Sequence, residues 1–145
     1  MGTNKFKVDS YLEEGMKVEV DNGRGHAITI DEPESFGGSD EGMNPVEITL
    51  ASLAGCLSIT SAFLSNKMKI DINDLSIEVE GEIDERAMSS AEVDSGFKEI
   101  RYYLKIDSDA DEEKIKRLYQ SIEEYCPVSD SLERAIKVKG DYQLT

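Results

Sequence analysis

The sequence predicts an α+β fold, and three observations carry that assignment. Short segments with apolar residues at alternate positions lie at both ends of the chain and in its middle. One uncharged segment, Ile48 to Asn66, is far too long for a strand and opens on helix-start signals. A later charged segment, from Asp109 to Tyr125, carries apolar residues at helical spacing. The order this gives is βββ-α-ββ-αα-β, with strands and helices in separate runs rather than strict alternation.

The first strand is read in KFKVDSYL, where Phe6 and Val8 alternate. The turn EEG at Glu13 to Gly15 follows, then MKVEV with Val18 and Val20 on one face. The turn DNGRG leads into HAITID, with Ile28 and Ile30 alternating. Together these form an antiparallel meander of three strands. The acidic glycine-rich stretch EPESFGGSDEGM connects it to the helix.

Asn44 starts that helix as N-cap, Pro45 suits its first position, and Glu47 stands where a capping box places its carboxylate. The helix is predicted to run to about Asn66 or Lys67. Val46, Leu50, Leu53, Leu57 and Leu64 form one apolar stripe, and Ala51, Gly55, Ser58 and Ala62 a stripe of small residues. A helix without charge after Glu47 must be covered on nearly every side, and the small stripe lets another helix approach closely. With few other helices in the chain, a second subunit is the expected partner. The segment nearly reaches membrane-spanning length, but its four serines, two threonines and asparagine fit a buried helix of a soluble protein better.

DLSIEVEGEI and EIRYYLKID read as strands, separated by the long polar connection Asp84 to Gly96. The amphipathic helix after them turns Ile115, Leu118, Tyr119 and Ile122 inward. CPVSDSLERAI reads as a short helix opened by Pro127, and IKVKGDYQL as a last strand. No repeat or linker divides the 145 residues, so residues 1–145 are expected to form one domain.

Hydrophobic content of 39% and charged content of 32% are those of a globular protein. A formal net charge of -15 argues against nucleic acid or an anionic membrane as partner. No signal or targeting segment is recognisable, which sets a cytoplasmic expectation. Two cysteines and one histidine match no zinc spacing, GGSDEG lacks the lysine of a phosphate cradle, and no metal or organic cofactor is expected. His26 reads as a structural residue of the strand.

The candidate chemistry lies in Cys56 and Cys126. Cys126 directly precedes Pro127, where exposed helix amides favour a thiolate, whereas Cys56 lies within an apolar helix that raises a thiol pKa. Spacing leaves two readings open, a redox pair or two buried core residues.

The layout resembles a known family. FGGSDEGMNPVEITLASLAGCLSIT is similar to the signature around the first cysteine of the OsmC/Ohr proteins, the osmotically induced and organic-hydroperoxide-resistance family, and CPVSDSL to the signature around the second. The resemblance covers nearly the whole chain. It implies antiparallel sheets wrapped around a central cysteine-bearing helix in an intertwined homodimer. It also implies a thiol peroxidase of organic hydroperoxides, with Cys56 peroxidatic, Cys126 resolving and an external thiol or dithiol as reductant.

In well-characterised peroxidatic members a glutamate stands ten residues before the first cysteine and an arginine lies upstream. Here those places hold Val46, and Phe36 or the Glu14–Gly15 region, so the pattern is closer to the less characterised branch. Glu47 and Arg24 are the remaining candidates for activating the thiol. Two other functions are open to the same layout: binding a fatty acid or other amphiphile without catalysis, and redox sensing.

Overall fold

The computed structural model describes residues 2–145. They form two compact units, one ending at Thr49 and one running from Leu50 to Thr145, and the long helix passes from the first into the second.

The first unit holds the expected meander, β1 (Asp9–Leu12), β2 (Val18–Asp21) and β3 (Ala27–Ile30), antiparallel in that order. Val18 pairs with Ile30 and Val20 with Ile28, so the apolar alternation read in both segments meets across the strands. Both turns place glycine in the left-handed region, Gly15 at φ 67° in the first and Gly25 at φ 93° in the second. β1 is shorter than the alternation suggested. Phe6 and Val8 precede it and are largely exposed.

After β3 the chain folds around one buried carboxylate. Asp31 is almost inaccessible and accepts hydrogen bonds from the N–H groups of Glu32 (2.8 Å), Ser39 (3.2 Å) and Glu41 (3.2 Å). Burial alone would push its pKa up, but the three donors outweigh that and hold it below the usual carboxylate range. The loop is drawn in so tightly that a Cβ on Gly38 would overlap the Glu32 carbonyl oxygen. Lys17 closes the outside, bonding Glu41 at 2.9 Å and Glu13 at 3.2 Å, and these bonds hold its ammonium well above the ordinary lysine pKa.

Helix α1 (Pro45–Met68) starts where the sequence indicated. The Glu47 N–H donates to Asn44 Oδ1 at 2.8 Å and the Asn44 N–H to Glu47 Oε2 at 3.1 Å, a complete capping box. By length and composition this helix could cross a membrane, a test that the core helix of a soluble protein also passes.

In the second unit, β4 (Asp74–Ile83) and β5 (Phe97–Asp107) form a long antiparallel hairpin with a bulge at Glu82/Ile83. The intervening residues 84–96 are tied at their base by Asp84, which pairs with Arg86 at 3.0 Å and Lys98 at 3.2 Å. Helix α2 (Glu112–Tyr125) is capped by Asp111, whose side chain accepts from the Lys114 N–H, and α3 (Pro127–Glu133) follows directly. The core is built from Leu53, Leu57 and Leu64 of α1, Ile70 after it, Leu118 and Ile122 of α2, and Cys126. The inward side chains of the hairpin, among them Ile77, Val79, Ile100, Tyr102 and Leu104, pack against it. Full burial of a leucine or isoleucine contributes about 1.5–3 kcal/mol, so this cluster is the main source of the unit's stability.

The sequence expectation fails at one element. IKVKGDYQL forms no strand, and Val138, Tyr142 and Leu144 are about nine-tenths exposed, at 88%, 90% and 92%. A strand needs a neighbour for its N–H and C=O groups, and among the described residues the segment pairs with none.

Candidate functional site

The two cysteines belong to the second unit, and it brings them together. Cys56 lies in the middle of α1, between Leu53 and Leu57, which face the core. Cys126 is at once the C-cap of α2 and the N-cap of α3, with extended backbone at φ -80°, ψ 107°. Pro127 forces this break, because a proline disfavours helical geometry at the residue before it and suits the first position of the next helix. The kink turns the Cys126 side chain back toward α1, and the two sulfurs stand 3.0 Å apart as free thiols.

Their surroundings differ. Cys126 is completely inaccessible (0%), within the cluster of Leu53, Leu57, Leu118 and Ile122, whereas Cys56 is only half-buried. Burial, the largest influence, and the neighbouring Cys56 push the Cys126 thiol pKa above its ordinary value. The N–H groups of Ser129 and Val128 pull the other way without reversing it. The expectation that the helix start would make Cys126 a thiolate is therefore corrected: desolvation by the core outweighs two backbone donors.

A groove of about 380 Å³ lies between Leu53 of α1, β5 and α3, and neither cysteine is among its lining residues. Its lining includes Leu53, one turn before Cys56, and Ser129, one turn after Cys126, with Phe97, Ile100 and Tyr102 of β5 and Leu132 of α3. Tyr102 donates its hydroxyl to Glu123 Oε1 at 3.1 Å, and burial followed by the Glu123 charge raises its phenol pKa well above normal. A larger groove along β5 and α2 contains neither cysteine and is lined mainly by charged and phenolic residues.

The other candidates lie in the first unit. The Glu47 carboxylate is bonded into the capping box described above. Arg24 occupies the β2–β3 turn, its N–H donating to Asn22 Oδ1 at 2.9 Å. His26 serves the same turn, its ring Nδ1 3.1 Å from the Asn22 amide nitrogen. Among the described residues no cluster of His, Cys, Asp and Glu could hold a metal ion. The sequence reading missed Ser129, whose only signal was its place three residues into the CPVS run, and Asp31, signalled by an acid at the end of a strand before paired glycines.

The fold recurs in solved structures. An OsmC-like protein of Mycoplasma pneumoniae superposes with a TM-score of 0.78 at 24% identity, over 90% of this chain and 88% of that one. An organic hydroperoxide resistance protein of Legionella pneumophila gives 0.66 at 20% identity, over 91% of each chain. An uncharacterised protein of Methanocaldococcus jannaschii is 30% identical over 96 residues, which are 66% of this chain and 48% of that protein, so the chain spans about half the length of this relative. The profile of the family described as OsmC-like protein matches residues 38–140, a stretch that includes both cysteines. The chain belongs to the OsmC-like protein family.

Proposed function

We propose that the protein is a thiol peroxidase that reduces organic hydroperoxides with Cys56 and Cys126. The observation that carries this reading is the 3.0 Å separation of two free thiols, one half-buried and one sealed in the core. The Cys56 thiolate attacks the hydroperoxide O–O bond, takes one oxygen as sulfenic acid and releases an alkoxide, which is protonated to the alcohol. The Cys126 sulfur then displaces hydroxide from the sulfenic acid, giving a disulfide and water, and an external dithiol returns both thiols by exchange. The apolar part of the groove, Leu53, Phe97, Ile100 and Leu132, suits the organic portion of such a substrate. Relatives described as organic hydroperoxide resistance proteins support the same assignment.

The same proposal includes a homodimer acting in a reducing, cytoplasmic setting, each chain one OsmC-like domain with α1 at its centre. Ile59 and Phe63 on α1 are 74% and 66% exposed beside the uncovered Gly55 and Ala62. An apolar seam of this kind is what a second copy of the helix covers. Arg24 is kept as the activating residue to test, and Arg24→Ala then slows the peroxide step.

A second reading, binding of an amphiphile without catalysis, is favoured by the engagement of Glu47 in the helix cap, which takes one carboxylate away from thiol activation. Titration of the reduced protein with one equivalent of cumene hydroperoxide, followed by thiol counting and peptide mapping, separates the two. The peroxidase reading expects both thiols lost into a Cys56–Cys126 disulfide; two intact thiols would sink it.

A further inference from the structure

We infer that the Cys56–Cys126 disulfide is always opened at the Cys56 sulfur, so that the reductant is joined transiently to Cys56 and Cys126 is the leaving thiol. This rests on the two-cysteine reading above and adds the direction of the reductive step, which distances between the sulfurs alone do not specify.

The argument is one of approach. Thiol–disulfide exchange is a displacement at sulfur in which the incoming thiolate arrives opposite the departing sulfur, so the site of attack is decided by access along that line. For attack on Cys126, the nucleophile must come from the side away from Cys56. Cys126 is completely inaccessible within the core cluster that includes Leu118 and Ile122, so no such line is open to it. For attack on Cys56, it comes from the side away from Cys126. Cys56 is half-buried on α1, whereas Cys126 has no accessible surface at all. No rotation of a small side chain exchanges these environments, because Pro127 and the cap geometry fix Cys126 between two helices.

The step balances without a further reactant. The thiolate of an external dithiol forms a bond to Cys56 Sγ as the Cys56–Cys126 bond breaks, and the electron pair leaves on Cys126 Sγ, which takes up a proton. The second thiol of the reductant, as its thiolate, then attacks the reductant's own sulfur in the mixed disulfide. This releases Cys56 as thiolate and leaves the reductant as a cyclic disulfide. The protein gains the two electrons that the dithiol loses.

The test forms the disulfide with diamide, so that it does not depend on any reaction with peroxide. The oxidised full-length protein is exposed briefly to glutathione, quenched in acid, alkylated and mapped by mass spectrometry. The expected product carries glutathione on Cys56 and the alkylating group on Cys126, in at least about tenfold excess over the reverse adduct. Glutathione mainly on Cys126, or shared equally, overturns the inference. Failure of diamide to join the two residues overturns it together with the pairing.

As a second measurement, Cys126→Ser and Cys56→Ser are each mixed with Ellman's reagent under native conditions, and the release of thionitrobenzoate by the remaining cysteine is followed by absorbance. Faster release with Cys56, again by about tenfold, is expected, and the opposite order refutes the inference. A protein that consumes hydroperoxide but carries glutathione on Cys126 keeps the peroxidase and loses this direction of attack. One that ignores hydroperoxide but takes glutathione on Cys56 loses the peroxidase alone.

Discussion

Cys126 holds its sulfur 3.0 Å from that of Cys56 while sealed beneath it, so one member of the pair can meet an outside reagent and the other can only answer it. The two single-cysteine variants should therefore behave differently, not equally. Cys56→Ser is expected to bring hydroperoxide consumption down to the uncatalysed rate, because the remaining thiol is inaccessible and protonated. Cys126→Ser should consume one equivalent to form the Cys56 sulfenic acid and, for want of a partner, a second to form the sulfinic acid, and then stall. Intact-mass spectra after one and five equivalents of cumene hydroperoxide read this directly. Equal stalling of both variants would contradict the assignment of roles.

The raised Cys126 pKa also fixes a direction for stability. The folded state favours the protonated thiol, so this contribution is complete below the ordinary thiol value of about 8.5 and is lost as pH rises through the higher folded value. The disulfide form has no such proton. Melting curves of the reduced protein should fall faster with pH above about 8.5 than those of the oxidised protein. A further decline shared by both forms should follow above about pH 10, where Tyr102 and Tyr119, also raised, favour their protonated forms. Parallel curves for the two redox forms between those limits would mean that Cys126 is not held as described.

Much of this arrangement is legible in the sequence because its causes are local. Asn44, Pro45 and Glu47 set the start of α1 through bonds made within one turn. The residues 84–96 between the two long strands were bounded by composition alone. What could not be read depends on contacts distant along the chain. The sulfurs meet across a separation of 70 residues. The pKa of Cys126 is set by Leu118, Ile122 and the α1 leucines, so an argument from the helix start alone gave the wrong sign. The alternation at Ile136, Val138 and Tyr142 is a correct description of a strand-like sequence, but alternation does not supply a neighbour to pair with.

Glu47 can be assigned by separating its charge from its hydrogen bonds. In a capping box glutamine serves as well as glutamate, whereas neither glutamine nor alanine can act as an anionic base. Glu47→Gln is expected to leave both the melting temperature and the rate of thiol oxidation unchanged, while Glu47→Ala loses on the order of 1 kcal/mol of stability. Asn44→Ala should cost a similar amount, since it removes the other half of the box. A slower peroxide reaction in Glu47→Gln with unchanged stability would instead make the carboxylate part of the chemistry.

The core leucines give the magnitude that separates packing from chemistry. Leu57 is fully buried one residue from Cys56, and Leu118 is fully buried on the facing helix. Leu118→Ala should destabilise by about 2–5 kcal/mol through lost burial and the cavity left behind. The same cavity lies against Cys126, so the variant should also expose that thiol. Its reaction with a small maleimide, negligible in the native protein, should become measurable under conditions where circular dichroism still reports a folded chain. Destabilisation of this size without any gain in Cys126 labelling would mean that the thiol is shielded by something other than the Leu118–Ile122 cluster.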